Sequence, residues 1–314
     1  MSAEIDPAHT GLLLTLPAAS PKAFLERHLA RTWEGDGTDD VSPRAVVLAE
    51  LYLEDSAQLR RAHDRLRAAG TPAPAAATYL AGWFGGAIGS AVGFALATAG
   101  AGLLPTPEDT RFHLHPDGWP MGLDLPARVI VAPEHPWAGL DGVHLADDDA
   151  AVIRRAIEHL VDTVGPVIDG CRGLAAIGRA GLWNEVADAL GAAVAYQEVA
   201  PADERMVAVL RRAVAVDTAP WRARPALRFV ESPVLGRVLV VQKGGCCLAY
   251  TEPAEVHHDA DPEEEEEVDA SDAAYLERFP AVPGDPDYCT TCSLRSADDC
   301  AARQLFWKER QAIE

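Results

Sequence analysis

Positive charge is scarce in this chain. Twenty-seven Lys and Arg stand against 48 Asp and Glu over 314 residues, a formal net charge of −21. No basic patch stands out, and a net-negative surface repels nucleic acid and anionic membranes at long range. Nucleic acid is therefore not an expected partner. Several chemical signatures are missing as well. There is no Gly-x-Ser-x-Gly elbow, no Gly-rich phosphate loop and no synthetase-like cluster of His and Lys, which argues against serine-hydrolase and adenylating chemistry. No repeat of roughly 20–50 residues is evident. The opening stretch, MSAEIDPAHTGLLLTLP, has no basic run before its apolar residues and carries Glu4 and Asp6, so a secretory leader is not expected and the chain reads as cytoplasmic.

What is present describes a globular protein: 48% hydrophobic and 24% charged residues, in a chain long enough to bury a core without covalent staples. The acidity is local. Residues 251–287 hold fourteen Asp and Glu against one Arg. The stretch HHDADPEEEEEVDASDAA within it reads as a solvated, low-complexity loop. A sharper alternative has His257, His258 and Glu263–Glu267 holding a hard cation such as ferric iron. From Ala75 to Leu104 no residue is charged, and that length suffices to span a bilayer. Its Ala- and Gly-rich composition reads first as a buried, closely packed helical hairpin or broken helix. A membrane span and a surface for peripheral membrane association are the other readings.

The periodicities predict an α+β fold, a mainly helical body with short antiparallel strands and a C-terminal cysteine-bearing segment. Residues 1–225 form the expected body, and residues 226–314 the C-terminal region with the acidic insertion 251–287. SPKAFLERHLA and SPRAVVLAELYLEDSAQLRRAHDRL each open with Ser-Pro, a helix-start signal. In the second, Leu48, Leu51, Leu59 and Leu66 form an amphipathic pattern. RFHLHPDGWPMGLDLPARVIVAP reads as strands with turns at Asp117-Gly118 and around Pro126. Further helices are expected along Ile153, Ile157, Leu160 and Val164, along Leu182, Trp183, Val186, Leu190 and Val194, and from Asp203 to Val216. ALRFVESPVLGRVLVVQKGGCC reads as two strands around Ser232-Pro233, and ADDCAARQLFWKERQAIE as a closing helix.

Of six cysteines, four form two doublets, Cys246-Cys247 and Cys289-x-x-Cys292. A reducing compartment favours metal or redox roles over disulfides. The Cys-x-x-Cys follows an acidic, proline-containing loop instead of opening a helix in a βαβ unit, so a thioredoxin-like reading is poor. Structural zinc draws tetrahedral sites from such pairs. A Cys-Cys dipeptide is an awkward half of one, because adjacent side chains on extended backbone point to opposite faces. Gly244-Gly245 supplies backbone freedom. A two-iron cluster spreads four terminal positions over two irons and eases the problem. Cys300 is an alternative ligand or a small buried residue, and Cys171 reads as core. His113 and His115 share a strand face but lack a third partner.

The two doublets, with GGCCLAY and YCTTCSLRS around them, resemble the FhuF family of ferric-siderophore reductases, which hold a [2Fe–2S] cluster through Cys-Cys-x10-Cys-x2-Cys. The stretch GRAGLWNEVADAL is similar to a Leu-Trp helix of that family. The resemblance covers the C-terminal ~70 residues well and the helical body loosely. Here the spacer between Cys247 and Cys289 is 41 residues, which adds about 1–2 kcal/mol of loop-closure entropy. The resemblance implies a [2Fe–2S] cluster on Cys246, Cys247, Cys289 and Cys292, and one-electron reduction of a ferric siderophore to release ferrous iron. Its partners would be that chelate and an electron donor such as a ferredoxin or an NAD(P)H-dependent reductase. Acidity favours neutral or cationic hydroxamate chelates. Trp119, Trp183 and Trp221 are candidate walls of a chelate-binding concavity. A zinc-stabilised binding protein without redox activity and a plain iron–sulfur electron carrier are the alternatives.

Overall fold

In the computed structural model, residues 20–28, 44–51, 56–116, 118–195, 202–248, 251, 270–280 and 288–312 are described. The fold is α+β, with about 52% of the described residues helical and short strands in small sheets. At its centre lies the charge-free stretch. Helix α3 (Ala73–Leu80) runs through a π-turn (Ala81–Gly86) into α4 (Ala87–Ala99), which ends at Gly100 in the left-handed region. Around it pack α5 (Asp149–Leu174), α6 (Arg179–Ala192) and α7 (Glu204–Val214).

Local chemistry explains where these helices begin. Asp148 accepts a hydrogen bond from the Ala151 N–H at 2.7 Å, and Asp203 accepts one from Met206 at 2.8 Å. Each carboxylate satisfies an otherwise unpaired N–H at the positive end of a helix dipole. Small residues explain why the central helix lies so close to α6. A Cβ added at Gly93 would sit 2.4 Å from the Leu190 carbonyl oxygen, and one at Gly89 would sit 3.0 Å from that of Val186. The stretch Ala73–Ala99 is long and apolar enough to cross a membrane, and 78% of its most apolar window is buried inside the fold. Its apolar surface is thus largely covered by protein, as the buried-helix reading expected.

Two sequence expectations give way. The helix opening at Ser42-Pro43 does not run through the next residues. Arg44–Val47 is strand β1, paired antiparallel with β3 (Arg111–Leu114), which in turn pairs with β4 (Pro120–Asp124). Val46 and Val47 are β-branched and suit a pleated surface. A 3₁₀ turn (Leu48–Leu51) follows, burying Leu48 and Leu51, and helix α2 (Ala57–Ala68) starts afresh with Ser56 as its cap. A second small sheet orders β2 (Gly102–Leu103), β5 (Val129–Val131) and β6 (Val143–Leu145), the last two parallel. The loop expected over 251–287 also contains a helix, α8 (Ala270–Arg278). Its Tyr275 stacks on Trp307 at 5.1 Å between centroids, and its hydroxyl accepts from Arg303. Aromatic burial against the last helix orders this part despite its charge. His257, His258 and Glu263–Glu267 lie outside the described residues.

Helix α1 (Pro21–His28) is capped by Ser20 as expected. Strands β7 (Ala226–Ser232) and β8 (Gly236–Gln242) form the expected hairpin, and α9 (Ala297–Gln311) closes the chain. One hydrophobic core runs from Phe24 through the central helices to Leu227, Leu239 and Val241. The hairpin that carries the double cysteine is therefore anchored to the body.

Candidate functional site

Strand β8 delivers the chain to Lys243, Gly244, Gly245 and the double cysteine, and α6 meets that segment. The order Asn184, Glu185, Asp188 places three polar side chains on one side of α6, one turn deep. Asn184 Oδ1 accepts from the Arg222 and Ala223 N–H groups at 3.0 and 3.1 Å. Glu185 Oε2 lies 2.6 Å from Lys243 Nζ. Asp188 accepts from the Gly244 N–H at 2.7 Å through one oxygen and from the Gly245 N–H at 3.0 Å through the other. The glycines are required by close approach. A Cβ at Gly244 would lie 2.5 Å from the Arg224 backbone, and one at Gly245 would lie 2.6 Å from Asn184 Cβ. Glycine was thus legible as freedom, whereas its purpose here is absence of bulk.

Asp188 is 2% exposed. Burial pushes its carboxyl up to about 7, against the opposing pull of the two glycine N–H bonds. A carboxyl that ionises near 4 in the unfolded chain but near 7 in the fold keeps its proton longer when folded. Its contribution is therefore fully present below pH 4 and is lost as pH rises from about 4 to about 7, with a slope approaching 1.4 kcal/mol per pH unit. Urea midpoints measured across that window should fall more steeply for the native chain than for Asp188→Asn. Parallel curves would refute the assignment.

The second doublet is held against the same strand end. The Lys243 N–H donates to the Thr291 carbonyl at 2.8 Å, and Gln242 Nε2 donates to the Arg295 carbonyl at 2.8 Å. Arg295 clamps the knuckle from the other side. Its Nε donates to the Cys289 carbonyl at 2.9 Å, its terminal nitrogens reach the Tyr288 carbonyl and Asp299, and its guanidinium lies over the Tyr288 ring. The knuckle closes on itself through Cys292 N–H to the Cys289 carbonyl at 3.1 Å.

The 41-residue separation is thereby closed at the thiols. The Cys247 and Cys289 side chains share a hydrogen bond. That bond holds the Cys289 thiol below its usual range against the effect of burial, and the charge of Lys243 adds to the lowering. Cys292 is buried, close enough to Cys289 to oppose its ionisation, and its sulfur accepts the Leu294 N–H at 3.4 Å. Cys246, Cys247 and Cys289 are half-buried. Leu248, directly after the double cysteine, has φ of +64°. That region costs a residue other than glycine roughly 1–2 kcal/mol, and the chain turns sharply there.

Other candidates lie elsewhere. Cys300 faces β8 from α9. Its thiol donates to the Val241 carbonyl at 3.7 Å and accepts from Gln304 Nε2 at 3.1 Å, and burial pushes its pKa up. Cys171 is fully buried, and burial pushes it up to about 12. His113 pairs with Asp124 at 2.8 Å, and His115 stacks on Trp119. Trp183 and Trp221 are core residues, the latter donating to the Val214 carbonyl at 2.9 Å. Among the described residues, no three His, Cys, Asp or Glu side chains gather as a metal-binding group.

The residues that support the doublets, Asn184, Glu185, Asp188, Gln242 and Arg295, were not singled out by sequence. The spacing of the three on α6 carried the only available signal. In comparisons with known proteins, no family model, no curated protein and no solved structure matches the chain.

Proposed function

We propose that Cys246, Cys247, Cys289 and Cys292 hold a [2Fe–2S] cluster and that the protein reduces a ferric siderophore by one electron, releasing ferrous iron for assimilation. The observation that carries this reading is the contact between Cys247 and Cys289, made across 41 intervening residues. A knuckle docked by Lys243, Gln242 and Arg295 holds the second doublet in place.

A two-iron cluster spreads its four terminal ligand positions over two irons, which suits an adjacent pair of cysteines better than the single point around which structural zinc gathers its ligands. Cys300 is occupied by Val241 and Gln304, which favours the doublets as the four ligands. When bound, such a cluster supplies one-electron transfer, at a potential set by hydrogen bonds, charge and exposure. The chain contributes each of these around the thiols: the Leu294 N–H on Cys292, the Lys243 ammonium near Cys247 and Cys289, and three half-buried cysteines.

A ferric chelate balances on one electron, since the donor is oxidised, the iron becomes ferrous, and the siderophore lets it go. The donor would be a ferredoxin or an NAD(P)H-dependent reductase. The net charge of −21 favours neutral or cationic hydroxamate chelates over anionic catecholates.

The test begins with anaerobic purification. A red-brown protein that bleaches with dithionite and shows the EPR signal of a reduced two-iron cluster is expected. A ferrous chelator should then trap stoichiometric Fe(II) from a ferric hydroxamate. A colourless zinc protein would sink the reading. A cluster that never releases ferrous iron would make the chain an electron carrier.

A further inference from the structure

Three residues before the double cysteine, Lys243 forms an ion pair with α6. Lys243 and Glu185 meet at 2.6 Å, with side chains only 23% and 7% exposed. Taking two charges from water costs several kcal/mol per ion, and apolar residues of similar volume often serve stability as well or better. The carboxylate is also incompletely matched. Glu185 Oε1 has no hydrogen-bond partner among the described residues. No side chain projects from Gly82, where even an added Cβ would sit 3.7 Å from the Glu185 carboxylate. The ammonium, by contrast, is placed from two directions. Its side chain rests on α6, and its backbone N–H holds Thr291 of the opposing knuckle. Cys247 and Cys289 both lie within its electrostatic reach.

We propose that Lys243 and Glu185 form a positioning pair that sets the one-electron potential of the four-thiolate site, the lysine favouring its reduced form and the glutamate restraining the lysine. The inference rests on the cluster reading above. Reduction adds one negative charge to a site already made anionic by thiolates. A partly buried cation nearby interacts with that charge more strongly than a fully exposed one would, because the local dielectric is lower. Glu185, 2.6 Å from the ammonium, offsets part of its field. The two partners therefore pull the potential in opposite directions, although a merely structural ion pair would respond alike to losing either one.

EPR-monitored redox titration of the cluster-loaded protein tests this. Lys243→Met should make reduction about tenfold less favourable, which for one electron is a potential about 59 mV lower. Glu185→Gln, which leaves the ammonium uncompensated, should raise the potential by a comparable amount. Lys243→Arg should stay near the native value, and the g-values of all variants should match, showing an unchanged ligand set. If Lys243→Met fails to fold, Glu185→Gln decides alone: a rise supports the proposal, and no rise overturns it. Shifts of the same sign in both variants also overturn it. A native protein that takes up no iron on reconstitution overturns instead the cluster reading beneath it.

Discussion

Cys289→Ser is expected to lose its iron and acid-labile sulfide, its visible colour and its release of ferrous iron. Cys289 meets the other doublet through Cys247. Its carbonyl is gripped by Arg295 and by the Cys292 N–H. A serine hydroxyl does not ionise near neutral pH and is a poor soft ligand. Even loss of an outer partner lowers metal affinity roughly 10–100-fold, so loss of a direct ligand should exceed ~100-fold. Cys300→Ser is the internal control. Its thiol is committed to Val241 and Gln304, so that variant should retain full iron while losing about 1 kcal/mol of stability from the altered buried contact. Iron and sulfide per chain, measured on both variants, decide the ligand set. A Cys289→Ser protein that keeps its iron, or a Cys300→Ser protein that loses it, would reverse the assignment.

The second large effect concerns the body. Gly93→Ala should cost at least about 3 kcal/mol, the upper range for overpacking a filled core. The new methyl would lie 2.4 Å from the Leu190 carbonyl oxygen and 2.9 Å from Ala193 Cβ. Both belong to α6 or its end, and a helix backbone does not yield as a flexible side-chain tip does. For a chain of this size the melting temperature should fall by roughly 6–12 °C, at about 2–4 °C per kcal/mol. Gly173→Ala provides the comparison, because nothing lies within 4 Å of its added Cβ and alanine suits a helix interior better by about 0.5–1 kcal/mol. Chemical denaturation of both should separate them by several kcal/mol. Equal stability would mean that α4 and α6 do not approach as described. Because α6 carries Asn184, Glu185 and Asp188, a shift of this contact should also loosen the cysteine loop.

The residues show why some of this was legible in advance. Ala- and Gly-rich composition without charge over 75–104 signals close helix packing, since only small residues allow such approach, and α4 against α6 bears that out. Periodicity located α5 and α6, because a 3.6-residue apolar repeat buries one face wherever the helix packs. Arg44–Val47 went wrong for an equally physical reason. A four-residue stretch has too little period to distinguish strand from helix, and pairing with Arg111–Leu114 decided it. Ala270–Arg278 was read from its charge, but four aromatic rings at 275, 279, 306 and 307 decide its order.

Taken alone, the sequence determined the chemistry on offer: four thiols in two doublets, a strongly acidic composition, and a charge-free helix too small-residued to stand apart. Local facts suffice for these, because thiol chemistry, net charge and residue size travel with the residue. Only the tertiary structure brought Cys247 to Cys289, turned Cys300 inward to Val241, and set Lys243 on Glu185. Those are contacts between segments 42, 59 and 58 residues apart. At such separations nothing in the chain's local pattern reports which side chains will meet, since burial of the common core selects the pairing.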